Sequence, residues 1–203
     1  MKKEFLPFDI VRNDAFKLAH KMYKEDGFVP DVIYCSLRGG AYMANAISEY
    51  YKIAHHGHHP VLFAAVVARS YTDVRKSSSR VYVDGWTYPP QNLRPGDRIM
   101  LIDDIFDTGK TINALVNILM DYGVSRENIK VVVHDYKEVT YREPLPIVPD
   151  YWCKKITIDK PEDDRWIHYM SHELVGLKKE ELEKNYFSQD PELREVLKPL
   201  LEE

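Results

Sequence analysis

The residues best suited to chemistry stand together in one stretch, IMLIDDIFDTGKT at positions 99–111. An apolar run typical of a buried strand ends in two adjacent carboxylates, Asp103 and Asp104, and Asp107 follows shortly after. The next four residues read Thr-Gly-Lys-Thr. A strand that turns at a glycine into a helix leaves backbone N–H groups pointing outward at the helix start, where an anion is stabilised. The spacing therefore predicts a phosphate cradle beside a group of acids.

The ending Gly-Lys-Thr is shared with the nucleotide P-loop, but the rest of that motif is missing. Asp104 occupies the position where a P-loop needs its first glycine, and an acid there would repel a polyphosphate. Carboxylates accept hydrogen bonds from hydroxyls or bind a cation, so a ribose 5-phosphate unit suits both the acids and the cradle. The alternative is that the acids only cap the following helix. Three acids and two threonines around one glycine favour the ligand site.

A second turn of the same kind occurs in CSLRGGA at positions 35–41. Gly39 and Gly40 follow a predicted strand and open a predicted helix, and Arg38 supplies a planar cation suited to phosphate oxygens. Two anion sites at the carboxyl ends of two strands imply a ligand with phosphates at both ends, bound in the crevice of an open sheet. Taken alone, this motif is equally an ordinary tight turn.

The elements that must position these turns alternate between short β-branched runs and helical patterns, which predicts an α/β fold with a mainly parallel twisted sheet flanked by helices. We expect helices over 13–25 and 41–52, and strands over 31–36, 61–68, 98–102 and 129–135. The helix after Gly109 carries a packed face at Ile112, Leu115, Val116 and Leu119. Residues 69–97 are polar and rich in turn formers around one short strand-like piece, which predicts either a functional flap or a loop without a catalytic part.

We expect one domain over residues 1–203, with a core at about 9–137 and a C-terminal helical tail at about 178–203. Between them, prolines and aromatics at about 138–177 predict a small hood lobe, which the N-terminal segment joins. The tail should contain a helix that starts at Pro191 with Asp190 as its N-cap. Its apolar positions favour a homodimer or homotetramer.

Composition excludes several classes of protein. A hydrophobic fraction of 44% with 30% charged residues is typical of a globular domain, and a net charge of −4 argues against general nucleic-acid binding. We find no signal-peptide pattern and no apolar run long enough for a membrane span. Cys35 and Cys153 are too few for a disulfide framework, so we expect free thiols in the cytoplasm. The cluster His55–His59 suits a transition metal in principle, but a solvated connection is favoured and we assign it no role.

Over about residues 30–175 the sequence resembles a type I phosphoribosyltransferase. IMLIDDIFDTGKTI resembles that family's signature for phosphoribosyl diphosphate (PRPP), and SLRGG resembles its diphosphate loop, where a cis peptide bond is often found. The resemblance implies that Asp103 and Asp104 hold the ribose hydroxyls and that residues 107–111 hold the 5-phosphate. The full set of implied PRPP contacts is Leu37, Arg38, Gly39, Arg69, Ser70, Tyr71, Asp103, Asp104, Asp107, Thr108, Gly109, Lys110 and Thr111.

Later residues resemble the 6-oxopurine branch of that family, which acts on hypoxanthine, guanine or xanthine. By this resemblance Lys137 reaches the purine 6-oxygen, Trp166 covers the purine face and the Ile167 backbone reads the ring edge. Arg69, with Ser70 and Tyr71, matches the start of a mobile flap. The alternatives are a solvated loop lysine at 137, a lobe-core aromatic at 166 and a surface tyrosine at 71.

The resemblance implies Mg²⁺ as the cofactor, with PRPP and a purine base as partners. The Mg²⁺ ligands would include Asp103, Asp104 and Glu173, although His172 is an alternative to Glu173 for the last of these positions. The catalytic residues would be Asp107, Arg38 and Lys137. Two rival hypotheses stay open. One is a regulator on the same fold that senses PRPP or a nucleotide, and the other is a transferase for orotate or another base.

Overall fold

A computed structural model describes residues 2–72, 79–143, 145–174 and 176–201. The strands are β1 (Lys2–Leu6), β2 (Val32–Leu37), β3 (Leu62–Thr72), β4 (Ser79–Trp86), β5 (Ile99–Phe106), β6 (Ile129–Val139), β7 (Tyr151–Ile158) and β8 (Arg165–Tyr169). The α-helices are α1 (Phe8–Lys24), α2 (Ala41–Ala54), α3 (Lys110–Asp121), α4 (Lys179–Leu182) and α5 (Glu192–Leu201). A π-helical segment, Glu183–Phe187, continues α4, and short 3-10 turns lie at Pro90–Asn92, Arg126–Asn128 and Pro161–Asp163. None of the described helices is long and apolar enough to span a membrane.

The chain divides into two compact units, of which the larger is Asp9–Asp164. Its sheet has six strands in the order β4-β3-β2-β5-β6-β7. Neighbouring strands from β3 to β7 pair in parallel, and β4 pairs antiparallel to β3 at one edge. The order reverses direction at β2 and β5, where an open sheet of this kind leaves its ligand crevice. The predicted α/β fold with a mainly parallel sheet is confirmed.

Apolar side chains on the central strands and on α3 form the core of this unit. The four residues Ile99–Ile102 of β5 are fully buried, as parallel strands covered on both faces require. On α3, the predicted face of Ile112, Leu115, Val116 and Leu119 is at most 1% exposed. This face fixes the rotation of α3 and thereby the place where its first turn begins.

The polar segment after residue 68 differs from the prediction. β3 continues to Thr72 instead of ending at 68, and it pairs with β4 as a hairpin. Backbone pairing at a sheet edge needs no apolar face, so hydrophobic periodicity indicated one strand-like piece here but neither the extension of β3 nor its pairing with β4. Its tip, residues 73–78, lies outside the described residues. The first helix also begins earlier than predicted, at Phe8 instead of residue 13.

The smaller unit comprises Met1–Phe8 and Arg165–Glu203. Its two strands, β1 and β8, pair in parallel, and the backbone N–H of Met170 donates to the carbonyl of Leu6 at 3.0 Å. A small cluster of its own contains Leu182, Tyr186 and Phe187. The segment from 138 to 164, predicted as hood lobe, contributes β7 to the six-stranded sheet of the larger unit. The hood lobe and the oligomeric state stay predictions.

Candidate active site

The predicted acids lie where β5 leaves the core. Asp103 and Asp104 are half-buried, directly after the fully buried strand residues. The backbone N–H of Asp104 donates to Asp103 Oδ1 at 3.0 Å, and that of Ile105 donates to Asp104 Oδ1 at 2.8 Å. Burial raises the pKa of Asp103 well above its ordinary value, and the neighbouring charge of Asp104 raises it further. The two adjacent acids can therefore accept hydrogen bonds from hydroxyl groups or bind a cation.

The predicted anion turn at residues 38–40 lies against the end of β5, where the acids stand. β2 and β5 are adjacent, with Cys35 opposite Ile102. A Cβ atom at Gly39 would overlap the Asp104 carboxyl group, and one at Gly40 would lie 2.5 Å from the carbonyl oxygen of Ile102. A Cβ at position 40 would therefore meet backbone atoms that cannot rotate away, whereas one at position 39 would meet the end of the Asp104 side chain. The peptide bond between Leu37 and Arg38 is cis, as the resemblance implied, and Arg38 is exposed at the start of this turn.

The cradle itself depends on Gly109 and on the side chain of Asn113. Gly109 has φ +71°, in the left-handed region that favours glycine, and a Cβ there would overlap the Phe106 ring. The buried amide of Asn113 donates from Nδ2 to the carbonyl of Gly109 at 3.0 Å and to that of Ile147 at 2.7 Å. Its Oδ1 accepts from the backbone N–H of Ile147 at 3.1 Å. Sequence reasoning missed this residue, which joins the cradle to the loop before β7.

The other residues of the cradle are accessible to a ligand. Asp107, Thr108 and Lys110 are exposed, and Thr111 is half-buried. They lie at the start of α3, where backbone N–H groups and the helix dipole favour an anion. The larger unit thus brings together the residues predicted for the ribose, the 5-phosphate and the diphosphate, and their roles in PRPP binding stay predictions.

Lys137 is buried in β6 instead of lying in a solvated loop. Its side chain is 4% exposed, and its Nζ lies 2.8 Å from Asp164 Oδ1 and 3.4 Å from Asp107 Oδ1. A buried ammonium needs such partners, since removal from water is costly without them. Sequence reasoning missed Asp164. The only available signal was an acid that stands shortly before Trp166 in DDRW.

Arg69 forms a two-pronged ion pair with Asp84 across the β3–β4 hairpin. Its Nε lies 2.5 Å from Oδ2 and its Nη2 lies 2.7 Å from Oδ1. Hydrogen bonding to Arg69 lowers the pKa of Asp84. In β3, Ser70 stands opposite Val81, and Tyr71 is the next residue along the strand. The predicted flap thus begins on a strand, and its contact with a ligand stays a prediction.

The base-binding residues predicted at 166–167 lie on β8 of the smaller unit. Trp166 is 46% exposed, whereas Ile167 is buried. Glu173 Oε2 accepts the backbone N–H of Tyr169 at 3.1 Å and lies 3.4 Å from His168 Nδ1. Burial lowers the pKa of His168, and the neighbouring Glu173 carboxylate acts against this shift. Glu173 is thus engaged within its own unit, and its metal role stays a prediction.

The acids of β5 offer oxygen donors of the kind that Mg²⁺ takes. Across the residues that the structure describes, no group of three or more His, Cys, Asp and Glu side chains could hold a metal ion. Mg²⁺ commonly takes one or two carboxylates and completes its shell with water and substrate oxygens. Asp103 and Asp104 fit that pattern because an added cation would relieve the repulsion between their carboxylates.

Comparisons with known proteins agree with this geometry. The family described as "Phosphoribosyl transferase domain" matches residues 8–171. The Bifunctional protein PyrR of Halalkalibacterium halodurans is 28% identical over 166 residues, which cover 80% of this chain and 88% of that protein. Rat hypoxanthine-guanine phosphoribosyltransferase is 23% identical over 179 residues, which cover 84% of this chain and 80% of the relative.

Solved structures show the same fold. A purine phosphoribosyltransferase from Pyrococcus horikoshii superposes with a TM-score of 0.63 at 22% identity, covering 88% of this chain and 99% of that one. A Neisseria gonorrhoeae protein with bound ppGpp superposes with a TM-score of 0.62 at 16% identity, covering 86% of this chain and 91% of that one. The resemblance to type I phosphoribosyltransferases with relatives in the 6-oxopurine branch is confirmed. With the match spanning most of its length, the chain belongs to the phosphoribosyl transferase family.

Proposed function

We propose that the protein transfers the 5-phosphoribosyl group from PRPP to a 6-oxopurine base, either hypoxanthine, guanine or xanthine, and releases diphosphate. The products would be a nucleoside monophosphate and diphosphate, as purine salvage requires. The observation that carries this proposal is the buried ammonium of Lys137, 3.4 Å from the Asp107 carboxylate that begins the phosphate cradle. A donor at this position suits a base with a carbonyl oxygen.

Different residues bind the ribose 5-phosphate and the diphosphate of PRPP. Asp103 and Asp104 accept hydrogen bonds from the ribose hydroxyls, and the N–H groups at the start of α3 hold the 5-phosphate. Arg38 and the turn beside it stabilise the charge that develops on the leaving diphosphate. When bound beside the β5 acids, Mg²⁺ supplies further neutralisation of that charge. Asp107 stands at the junction of sugar and base, where it exchanges a proton with the purine ring or stabilises the cationic ribose.

Lys137 selects the base. An ammonium has only donors, so it pairs with a 6-oxo group, whereas the 6-amino group of adenine would place donors against a cation. Replacing Lys137 with alanine would remove this discrimination. The expected result is a loss of preference for hypoxanthine over adenine, with PRPP binding retained.

The proposal is tested by incubating the purified protein with PRPP and Mg²⁺ and offering each base separately: hypoxanthine, guanine, xanthine, adenine, uracil and orotate. Nucleotide formation from the 6-oxopurines alone supports the proposal and identifies the base. Nucleotide formation from uracil or orotate instead would contradict the role of Lys137 and assign the protein to another base.

A second candidate is a regulator that binds PRPP or a nucleotide without turnover. It is favoured by one observation, the ppGpp bound to the Neisseria protein of the same fold. Titration calorimetry with PRPP and with ppGpp separates the candidates when combined with the base panel. Tight binding of either ligand without product from any base would favour the regulator.

A further inference from the structure

The ammonium of Lys137 lies between two carboxylates of unequal burial. Asp164 is the nearer partner, at 2.8 Å, and its side chain is 30% exposed. Asp107 is the more distant partner, at 3.4 Å, and its side chain is 50% exposed. Coulomb attraction grows as distance and solvation fall, so the pair with Asp164 is the stronger of the two. Asp164 therefore decides where the ammonium rests.

The position of the ammonium matters because a lysine side chain is long and rotatable. Without Asp164, the Lys137 Nζ would move towards Asp107 and neutralise the acid that faces the sugar and the base. With Asp164 in place, the ammonium is shared between the Asp164 and Asp107 carboxylates. An ammonium has three N–H donors, so two carboxylate partners leave capacity for one further acceptor. The carbonyl oxygen of a base is an acceptor of that kind.

We propose that Asp164 is a positioning residue for base recognition, which holds the Lys137 side chain oriented and away from Asp107 so that its remaining donor meets a carbonyl oxygen on the base. This inference rests on the proposed function, since it concerns the same base-binding lysine. It assigns the preference for an oxo over an amino group to a pair of residues, Lys137 with Asp164, instead of to the lysine alone.

The test compares Asp164→Asn with the matched control Asp163→Asn. Both variants remove one negative charge from neighbouring positions, but the exposed Asp163 makes no side-chain contact to Lys137 among the described interactions. In Asp164→Asn we expect KM for hypoxanthine to rise at least tenfold, KM for PRPP to stay within twofold, and the hypoxanthine-to-adenine ratio of kcat/KM to fall at least tenfold. Asp164→Glu should recover part of the ratio. Equal behaviour of Asp164→Asn and Asp163→Asn would overturn the proposal, as would a matching rise in both KM values.

A second readout does not depend on turnover. Acetylation of Lys137 by acetic anhydride, followed by mass spectrometry, reports how firmly its amine is held. We expect Asp164→Asn to raise the acetylation rate of Lys137 at least fivefold over the wild type, while Asp163→Asn leaves it unchanged. If no base reacts with the wild type, the proposed function fails, and the acetylation rates still decide whether Asp164 positions Lys137. Unchanged rates in Asp164→Asn would refute that role.

Discussion

Replacing Gly40 with alanine probes the contact between the turn at residues 38–40 and the end of β5. The backbone of Gly40 has φ −67° and ψ −11°, which alanine adopts without strain, so any effect must come from the added methyl group. That group would lie 2.5 Å from the Ile102 carbonyl oxygen, 2.9 Å from Asp103 Cα and 3.0 Å from the Ser36 carbonyl oxygen. All three obstacles are backbone atoms. Ordinary contact begins at 3.4 Å, so the turn and β5 must separate by up to about 0.9 Å.

The expected cost follows from the same distances. Overpacking against atoms that cannot rotate away should lower the free energy of unfolding by about 1–3 kcal/mol. The shift also moves the acids of β5. Loss of one charge-assisted hydrogen bond to a ribose hydroxyl, about 1.5–3 kcal/mol, would weaken PRPP binding by about tenfold or more. Urea denaturation and titration calorimetry with PRPP and Mg²⁺ measure the two effects separately.

Two further alanine variants separate the effect on PRPP binding from the effect on stability. At Gly39 the obstacle is the Asp104 carboxyl group, the end of a side chain that can rotate, so we expect weaker PRPP binding with little loss of stability. At Gly85 a Cβ would meet no atom within 4 Å, so Gly85→Ala should change neither quantity. Wild-type PRPP affinity in both Gly39→Ala and Gly40→Ala would refute the placement of PRPP against the turn at residues 38–40 and the β5 acids.

Three other predictions concern the parts that support the site. Asn113→Ala should lower the free energy of unfolding by about 2–4 kcal/mol in urea denaturation, because it leaves the buried backbone groups of Ile147 without their partner; an unchanged unfolding free energy would contradict this. Burial and the nearby acids of β5 raise the pKa of the Cys35 thiol to about 12, so its labelling by iodoacetamide at pH about 8 should be much slower in the folded than in the urea-unfolded protein, as mass spectrometry would show. Equal rates would refute the burial of this thiol. Asp84→Asn should barely move the urea midpoint, because its ion pair with Arg69 is solvent-exposed, and a large shift would contradict that reasoning.

The sequence predicted the parts of the site that depend on neighbours along the chain. The acids of β5, the glycine of the cradle and the buried face of α3 belong to one strand, turn and helix, so periodicity and turn chemistry were sufficient. Asp164 and Asn113 were missed because their partners are distant in sequence. The pair of Lys137 with Asp164 spans 27 positions, and the bond of Asn113 to Ile147 spans 34.

The β3–β4 hairpin was missed for a different reason. Its pairing uses backbone groups at a sheet edge, where polar side chains such as Arg69 and Asp84 are tolerated on the exposed surface. Hydrophobic patterns can indicate a short strand-like piece in such a segment, but they do not show which strand it pairs with. A polar segment next to an apolar strand is therefore compatible with either a loop or an edge hairpin.

The most direct test of the central claim is a phosphorus-31 NMR time course of PRPP with hypoxanthine, Mg²⁺ and the purified protein. We predict that the PRPP signals decline while diphosphate and a nucleoside monophosphate appear in equal amounts, and that no product forms when the base is omitted. PRPP signals that shift on binding but persist unchanged with every 6-oxopurine would contradict the proposed transfer and leave ligand sensing as the function of the site.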